Sequence, residues 1–344
     1  MPRRHSITAS APGASGYLPE HTLAAYELGI RLGVDAFEID VVPTADGQLV
    51  ARHENDLTGS TDVAAHPEFA ARRTTKMIEG VRHTGWFTED FTLAEIGTLR
   101  AREPLPALRS TEHDGQYAVP ALPEILTLRA QLAQEMGRPV GLKLEVKSPV
   151  HFAGIGHAVE DLLLRDLAAA GMLGRESPVE IMTFDLHHLR PLRERGVENG
   201  MVFLVEEDPS RPVPGEAGAT YGDLTTPAGL ARVRETAQAL GPGRHALFTG
   251  MPGTPLGEPR RLFTDAKAAG LRLDCWTFRA ENIFLPTDFT RGDDPAGLGD
   301  MAGLAAAYVR AGLDTVITDH PDRVLADGVR RSKAAGRRIC DAAT

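Results

Sequence analysis

The sequence predicts an α/β protein, a (β/α)8 TIM barrel with an inserted subdomain at the barrel mouth. Three observations lead there. Short β-type runs alternate with helical stretches along most of the chain, the pattern of a parallel sheet. Eight such runs are found, the number that closes a barrel. One connection is far longer than a βα loop requires.

The candidate strands are Ile7–Ser10, Ala36–Val41, Val140–Val146, Val179–Thr183, Met201–Leu204, His245–Phe248, Leu271–Trp276 and Thr315–Thr318. Helical periodicity fills most gaps: His21–Leu32 sets Leu23, Tyr26, Leu28 and Leu32 on a broad face, and Ile155–Ala170 is richer still. Gly33, Gly171, Gly196, Gly270 and Gly312 fall near helix ends, where a left-handed residue favours Gly. The Pro/Gly-rich stretch between Val205 and Arg244 offers no strand to pair. Between a short Gln48–Arg52 strand and Val140 lies the long interval, with Trp86, Phe87, Phe91 and a helical run from Thr92 to Arg100. Residues 54–120 are read as the inserted subdomain, 1–331 as a single barrel and 332–344 as a C-terminal tail.

Composition narrows the function. Of 344 residues, 42% are hydrophobic and 24% charged, which suits a globular protein and excludes disordered, collagenous and disulfide-scaffold classes. Lys and Arg number 37 against 47 Asp and Glu, a net charge of -10. That balance argues against nucleic acid as partner while leaving room for a local basic pocket for one phosphate. Cys275 and Cys340 stand in unrelated contexts, with neither metal-ligand nor disulfide spacing. The basic start Met1-Pro2-Arg3-Arg4-His5 is not followed by a long apolar segment, so neither a secretory signal nor a membrane span is expected. A cytoplasmic location is the default expectation.

Working residues of such barrels sit at the C-terminal strand ends. Glu38 and Asp40 occupy alternate positions of one strand and point to one face. Glu145 and Lys147 do the same at the end of the next. Three inward carboxylates in a confined site shift each other's ionisation strongly. A hard divalent cation with oxygen ligands resolves this, Mg²⁺ or Ca²⁺ rather than zinc, because no Cys or His pair accompanies them. Ion pairing with Lys147 is the other reading of the same residues. His53 follows the Asp46-Gly47 turn just after the carboxylate strand, a position that suits a catalytic group, with a purely structural histidine as the other reading.

These residues resemble the glycerophosphodiester phosphodiesterase family. The likeness runs through Gly13–Thr22, Glu38-Ile39-Asp40-Val41, Thr44-Ala45-Asp46-Gly47, Val50-Ala51-Arg52-His53 and Leu144-Glu145-Val146-Lys147. It continues through Thr183-Phe184-Asp185, Trp276-Thr277-Phe278-Arg279 with Glu281-Asn282, and Thr318–Asp322. The resemblance implies a TIM barrel, a divalent cation held by Glu38, Asp40 and Glu145, and phosphodiester substrates. There are departures. Where the family ends its first strand in His-Arg-Gly, with a catalytic His and a phosphate-binding Arg, this chain has Ala11-Pro12-Gly13. The family's second His survives as His53, but its His-Asp pair has become His53-Glu54, and a downstream Arg corresponds to Gly59.

Positioned proton transfer is worth ~10²–10⁴ in rate, so losing one His costs roughly 3–5 kcal/mol of barrier. Three readings follow: an altered hydrolase using His53, Lys147 and the cation; a repurposed lyase or cyclase ionising a prenyl diphosphate by C–O cleavage; and a non-catalytic binder of phosphorylated ligands. The partner expected is a small phosphate ester or diphosphate. Trp276, Phe184, Asp185 and Arg279, at or after strand ends, are the candidate substrate contacts. Cys275, by pleat alternation, should point away from Trp276 into the barrel–helix layer.

Overall fold

A computed structural model of the chain describes residues 6–9 and 12–325. His5, Ser10, Ala11, Cys340 and the expected tail 332–344 lie outside them. Eight parallel strands close on themselves: β1 (Ser6–Ala9), β2 (Ala36–Pro43), β6 (Gly141–Val146), β7 (Val179–Thr183), β8 (Gly200–Val205), β9 (Ala239–Pro242), β10 (Arg272–Phe278) and β11 (Thr315–Thr318), with β1 paired to both β2 and β11. A ninth strand, β3 (Leu49–Ala51), runs antiparallel to the end of β2, pairing Val41 with Ala51 and Pro43 with Leu49. Side chains alternate along the strands apart from a bulge in β10 between Cys275 and Phe278. In β6 Leu142 and Leu144 face the helices while Lys143 and Glu145 face the axis, so one strand supplies apolar packing outside and polar groups inside.

The interior is filled in tiers. At its lower end Lys143 Nζ meets Asp274 Oδ2 at 2.6 Å and Glu180 Oε2 at 2.5 Å, and Arg272 Nη2 meets Asp274 Oδ2 at 2.8 Å. Above this plug Met182, Val202, Leu204 and Ala239 pack with Trp276 and Phe184. The larger apolar core lies between strands and helices, and Cys275 is buried within it, on the side its position in the pleat requires.

Four elements differ from expectation; the helix read at Ile155–Ala170 spans Val159–Ala169, with Ile155 closing the preceding helix Pro149–Gly154. The strand read at His245–Phe248 is instead Ala239–Pro242; Arg244–Ala246 is a short 3-10 turn. Ala-Leu-Gly-Pro lacks the β-branched residues that mark strands, yet the barrel wall demands a small residue here. A Cβ on Gly241 would lie 2.5 Å from the Leu204 side chain. The first helix begins at Leu23 rather than His21, because the Thr22 hydroxyl caps Ala25 N–H and His21 sits in a left-handed conformation at φ 54°. The run from Thr92 shortens to Leu93–Ile96, opened by a Thr92–Glu95 capping box and ended at Gly97.

Between β3 and β6 the chain forms a hairpin, β4 (Thr74–Ile78) with β5 (Val81–Gly85), several 3-10 turns and the helix Leu122–Glu135. The two turn residues Glu79 and Gly80 have φ of 49° and 81°, the positive pair a tight hairpin requires. Arg109 fastens this stretch to the barrel rim: its Nε lies 2.6 Å from Glu281 Oε1 and its Nη2 2.6 Å from Asp319 Oδ2. Among the described residues no helix is long and apolar enough to cross a membrane.

Candidate active site

Strands β2 and β6 run in register, with Asp40 opposite Glu145, so their inward side chains converge at the barrel mouth. Glu38, Asp40 and Glu145 are all buried, and one carboxylate oxygen from each lies within 4.8 Å of the others. Lys147 Nζ stands 3.0 Å from Glu145 Oε1. The Asp40 Oδ2 atom accepts a hydrogen bond from His21 Nε2 at 3.1 Å, and His21 Nδ1 meets the Tyr26 hydroxyl at 2.9 Å. Burial holds the His21 pKa down at about 4 despite the neighbouring Asp40, so the ring is neutral and acts as a dipolar brace. Arg52, wholly buried, ties the carbonyls of Glu20 and His21 from beneath at 2.7 and 3.3 Å.

The cluster is electrostatically incomplete. Burial, followed by the charges of Asp40 and Glu145, pushes the Glu38 carboxyl well above the usual range. Burial likewise raises Glu145 to about 8, only partly opposed by Lys147. For Asp40 the burial penalty is outweighed by Lys147 and the His21 hydrogen bond, which keep it ionised. Lys147 is held above its ordinary value by Glu145 and Asp40 against its own burial. Glu38 Oε2 and Asp40 Oδ1 are buried without a hydrogen-bond partner. Ionised together, the three carboxylates against one lysine would carry two net negative charges, which a divalent cation would neutralise in place of the protons that Glu38 and Glu145 otherwise hold, with the oxygen donors that Mg²⁺ and Ca²⁺ take. The residues therefore fit such an ion.

The pocket above them encloses about 230 Å³. Its lining includes the polar His53, Glu54, Lys147 and Glu206 and the apolar Met182, Leu204, Ile317, Phe184 and Trp276. His53 Nδ1 lies 3.0 Å from Glu54 Oε1. His53 and Glu54 are both exposed at the pocket rim; Lys147 and desolvation lower the His53 pKa, but Glu54 and Asp40 outweigh them and raise it to about 9. Phe184 and Trp276 meet edge to face with ring centroids 5.6 Å apart, and Trp276 Nε1 donates to Gly241 O at 2.8 Å.

Asp185 and Arg279 lie elsewhere. Asp185 caps the helix Leu186–Glu194 through His188 N–H and borders an adjoining groove. Arg279 Nε is 3.1 Å from Asp319 Oδ2, with its guanidinium over the Phe284 ring. Glu206, Thr277 and His21 belong to the site and were not singled out as functional. Glu206 directly follows β8, the signal that marked Glu145; His21 was hidden as a helix start.

A family model described as the glycerophosphoryl diester phosphodiesterase family matches residues 13–323. The chain belongs to that family. A glycerophosphodiester phosphodiesterase of Arabidopsis thaliana is 29% identical over 291 residues, covering 81% of this chain and 76% of that protein. One from Haemophilus influenzae is 26% identical over 68% of each chain. Among solved structures, an Oleispira antarctica phosphodiesterase in complex with the product sn-glycerol-3-phosphate superposes with a TM-score of 0.59 at 20% identity, covering 93% of this chain and 95% of that one. A glycerophosphodiester phosphodiesterase from Parabacteroides distasonis gives 0.56 at 16% identity, covering 96% and 99%. These likenesses agree with the barrel.

Proposed function

We propose that this chain is a divalent-metal-dependent phosphodiesterase that hydrolyses glycerophosphodiesters with an altered acid/base apparatus. The observation that carries the reading is the buried trio Glu38, Asp40 and Glu145, with two unpartnered oxygens beside Lys147 in a chain of this family. Such an ion, when bound, supplies positive charge to the phosphoryl oxygens. Lys147 adds a second fixed charge on the pocket side and orients the phosphate between itself and the trio. His53, kept protonated by Glu54 near neutral pH, gives its proton to the leaving oxygen. The first-strand partner that would take the proton from the attacking oxygen is Ala11 in this sequence. Turnover is consequently slow, by roughly 10²–10⁴ relative to a site with both groups.

A second reading rests on the apolar wall. Phe184 and Trp276 over Met182, Leu204 and Ile317 could face the carbocation formed when a prenyl diphosphate ionises. One product assay separates the two. With Mg²⁺ or Ca²⁺ present, release of glycerol 3-phosphate from glycerophosphocholine supports the hydrolase. Diphosphate with a hydrocarbon or cyclised alcohol from a prenyl diphosphate supports the lyase, and no product from either refutes both.

A further inference from the structure

Beside the catalytic pocket runs a groove of about 720 Å³, and Glu54, Glu145, Lys147, Phe184 and Glu206 line both spaces. A ligand whose phosphate sits at Lys147 therefore has a continuous path into it. One wall is the β4–β5 hairpin, another the segment Pro149–Val150 after β6, and a third Pro212, Val213 and Tyr221. The apolar side chains on this path are unusually bare. Val81 and Val150 are 52 and 48% exposed, two of the seven exposed large hydrophobics among the described residues. In the hairpin Val81 pairs across from the buried Ile78, so both lie on the same face of the ribbon. The exposure of Val81 is thus toward the groove. Exposed apolar surface gathered along one channel marks a ligand path, since scattered single residues would cost the same and serve nothing.

We infer that this groove holds a hydrocarbon chain carried by the substrate, so that the substrate class is a phosphodiester bearing one long alkyl or acyl chain. The inference rests on the hydrolase reading for the chemistry, but not for the chain site itself. Polar groups line the groove as well: Glu79, His83, His151, Asp185 and Arg211, besides those shared with the pocket. A chain lying between these groups and the Phe184 ring leaves water along much of its length.

The test is calorimetric binding of hexyl-, decyl- and dodecylphosphocholine below their micelle concentrations, with Mg²⁺ present and glycerophosphocholine as the chain-free probe. Affinity should rise about twofold per methylene, as for a chain half withdrawn from water. In the isosteric double variant V81T/V150T the dodecyl affinity should fall roughly tenfold while the hexyl affinity hardly changes. Leu173→Gln, an exposed apolar residue outside the groove, should have no effect. Affinity independent of chain length overturns the inference, as does full retention in V81T/V150T with an unchanged melting temperature. A dimer that V81T/V150T abolishes in light scattering would also overturn it, by assigning these side chains to a second copy. Chain-dependent binding without hydrolysis of any diester supports the groove and refutes the hydrolase reading; hydrolysis of glycerophosphocholine with flat chain dependence does the reverse.

Discussion

Replacing Arg109 with Met tests how the stretch between β3 and β6 is held to the barrel. The guanidinium is buried and makes three contacts: Glu281 Oε1 and Asp319 Oδ2 at 2.6 Å each, and Ser15 O at 3.1 Å. Asp319 keeps Arg279 at 3.1 Å after the substitution, whereas among the described residues Glu281 keeps His320 alone, at 3.9 Å. One buried carboxylate is thereby stripped of its close cation. Breaking a buried pair from one side costs ~3–5 kcal/mol, and the surviving Arg279 contact argues for the low end, ~3 kcal/mol. In a chain of this size that lowers the melting temperature by roughly 5 °C. Differential scanning calorimetry at neutral pH measures it. The double variant R109M/E281Q should recover ~1 kcal/mol or more, because the orphaned charge is gone. A shift below about 1 °C, or a double variant no better than R109M alone, would refute the account.

Other outcomes follow from the same geometry. Burial raises Glu103 from the ordinary value of 4.5 to about 7, although Leu105 N–H and Arg109 oppose the shift. The folded state therefore binds the extra proton, its contribution is complete below pH 4.5, and it fades as pH climbs through 7. Glu103→Gln should remove a loss of ~2 kcal/mol across that window, read as melting temperature against pH. Glu38→Gln, isosteric with the protonated acid, should leave the metal-free protein as stable or slightly more so. It should also abolish the thermal stabilisation by Mg²⁺ or Ca²⁺, worth ~2.7 kcal/mol at a hundredfold excess over Kd in the parent. The pair A11H/P12R should raise glycerophosphodiester hydrolysis by up to ~10²–10⁴, and no gain in a folded variant would count against a latent phosphodiester pocket.

The site's carboxylates could be read from the chain because β-strand alternation is a local rule. Glu38 with Asp40, and Glu145 with Lys147, need only a two-residue spacing to share a face. The fold was legible for the same reason, wherever strands carry branched residues. Ala239–Pro242 escaped because packing against Leu204, not strand propensity, selects its glycine. Arg109 escaped because its partners lie 172 and 210 residues away, with no local pattern to signal them. His21 was masked by a helix boundary; its link to Asp40 depends on a left-handed backbone that sequence periodicity does not report.

The antiparallel pairing of β3 with the end of β2 gives the molecule a division of labour. Glu38 and Asp40 on β2 and His53 just after β3 are carried by a single ribbon, folded back at Asp46-Gly47 and pinned by ladder bonds. Their spacing is inherited as one piece. The β4–β5 hairpin lies outside this ribbon, so it can change length, charge or greasiness without moving those three side chains. A lineage could thus trade one alcohol for another by rewriting the hairpin alone, leaving the reactive corner as it was.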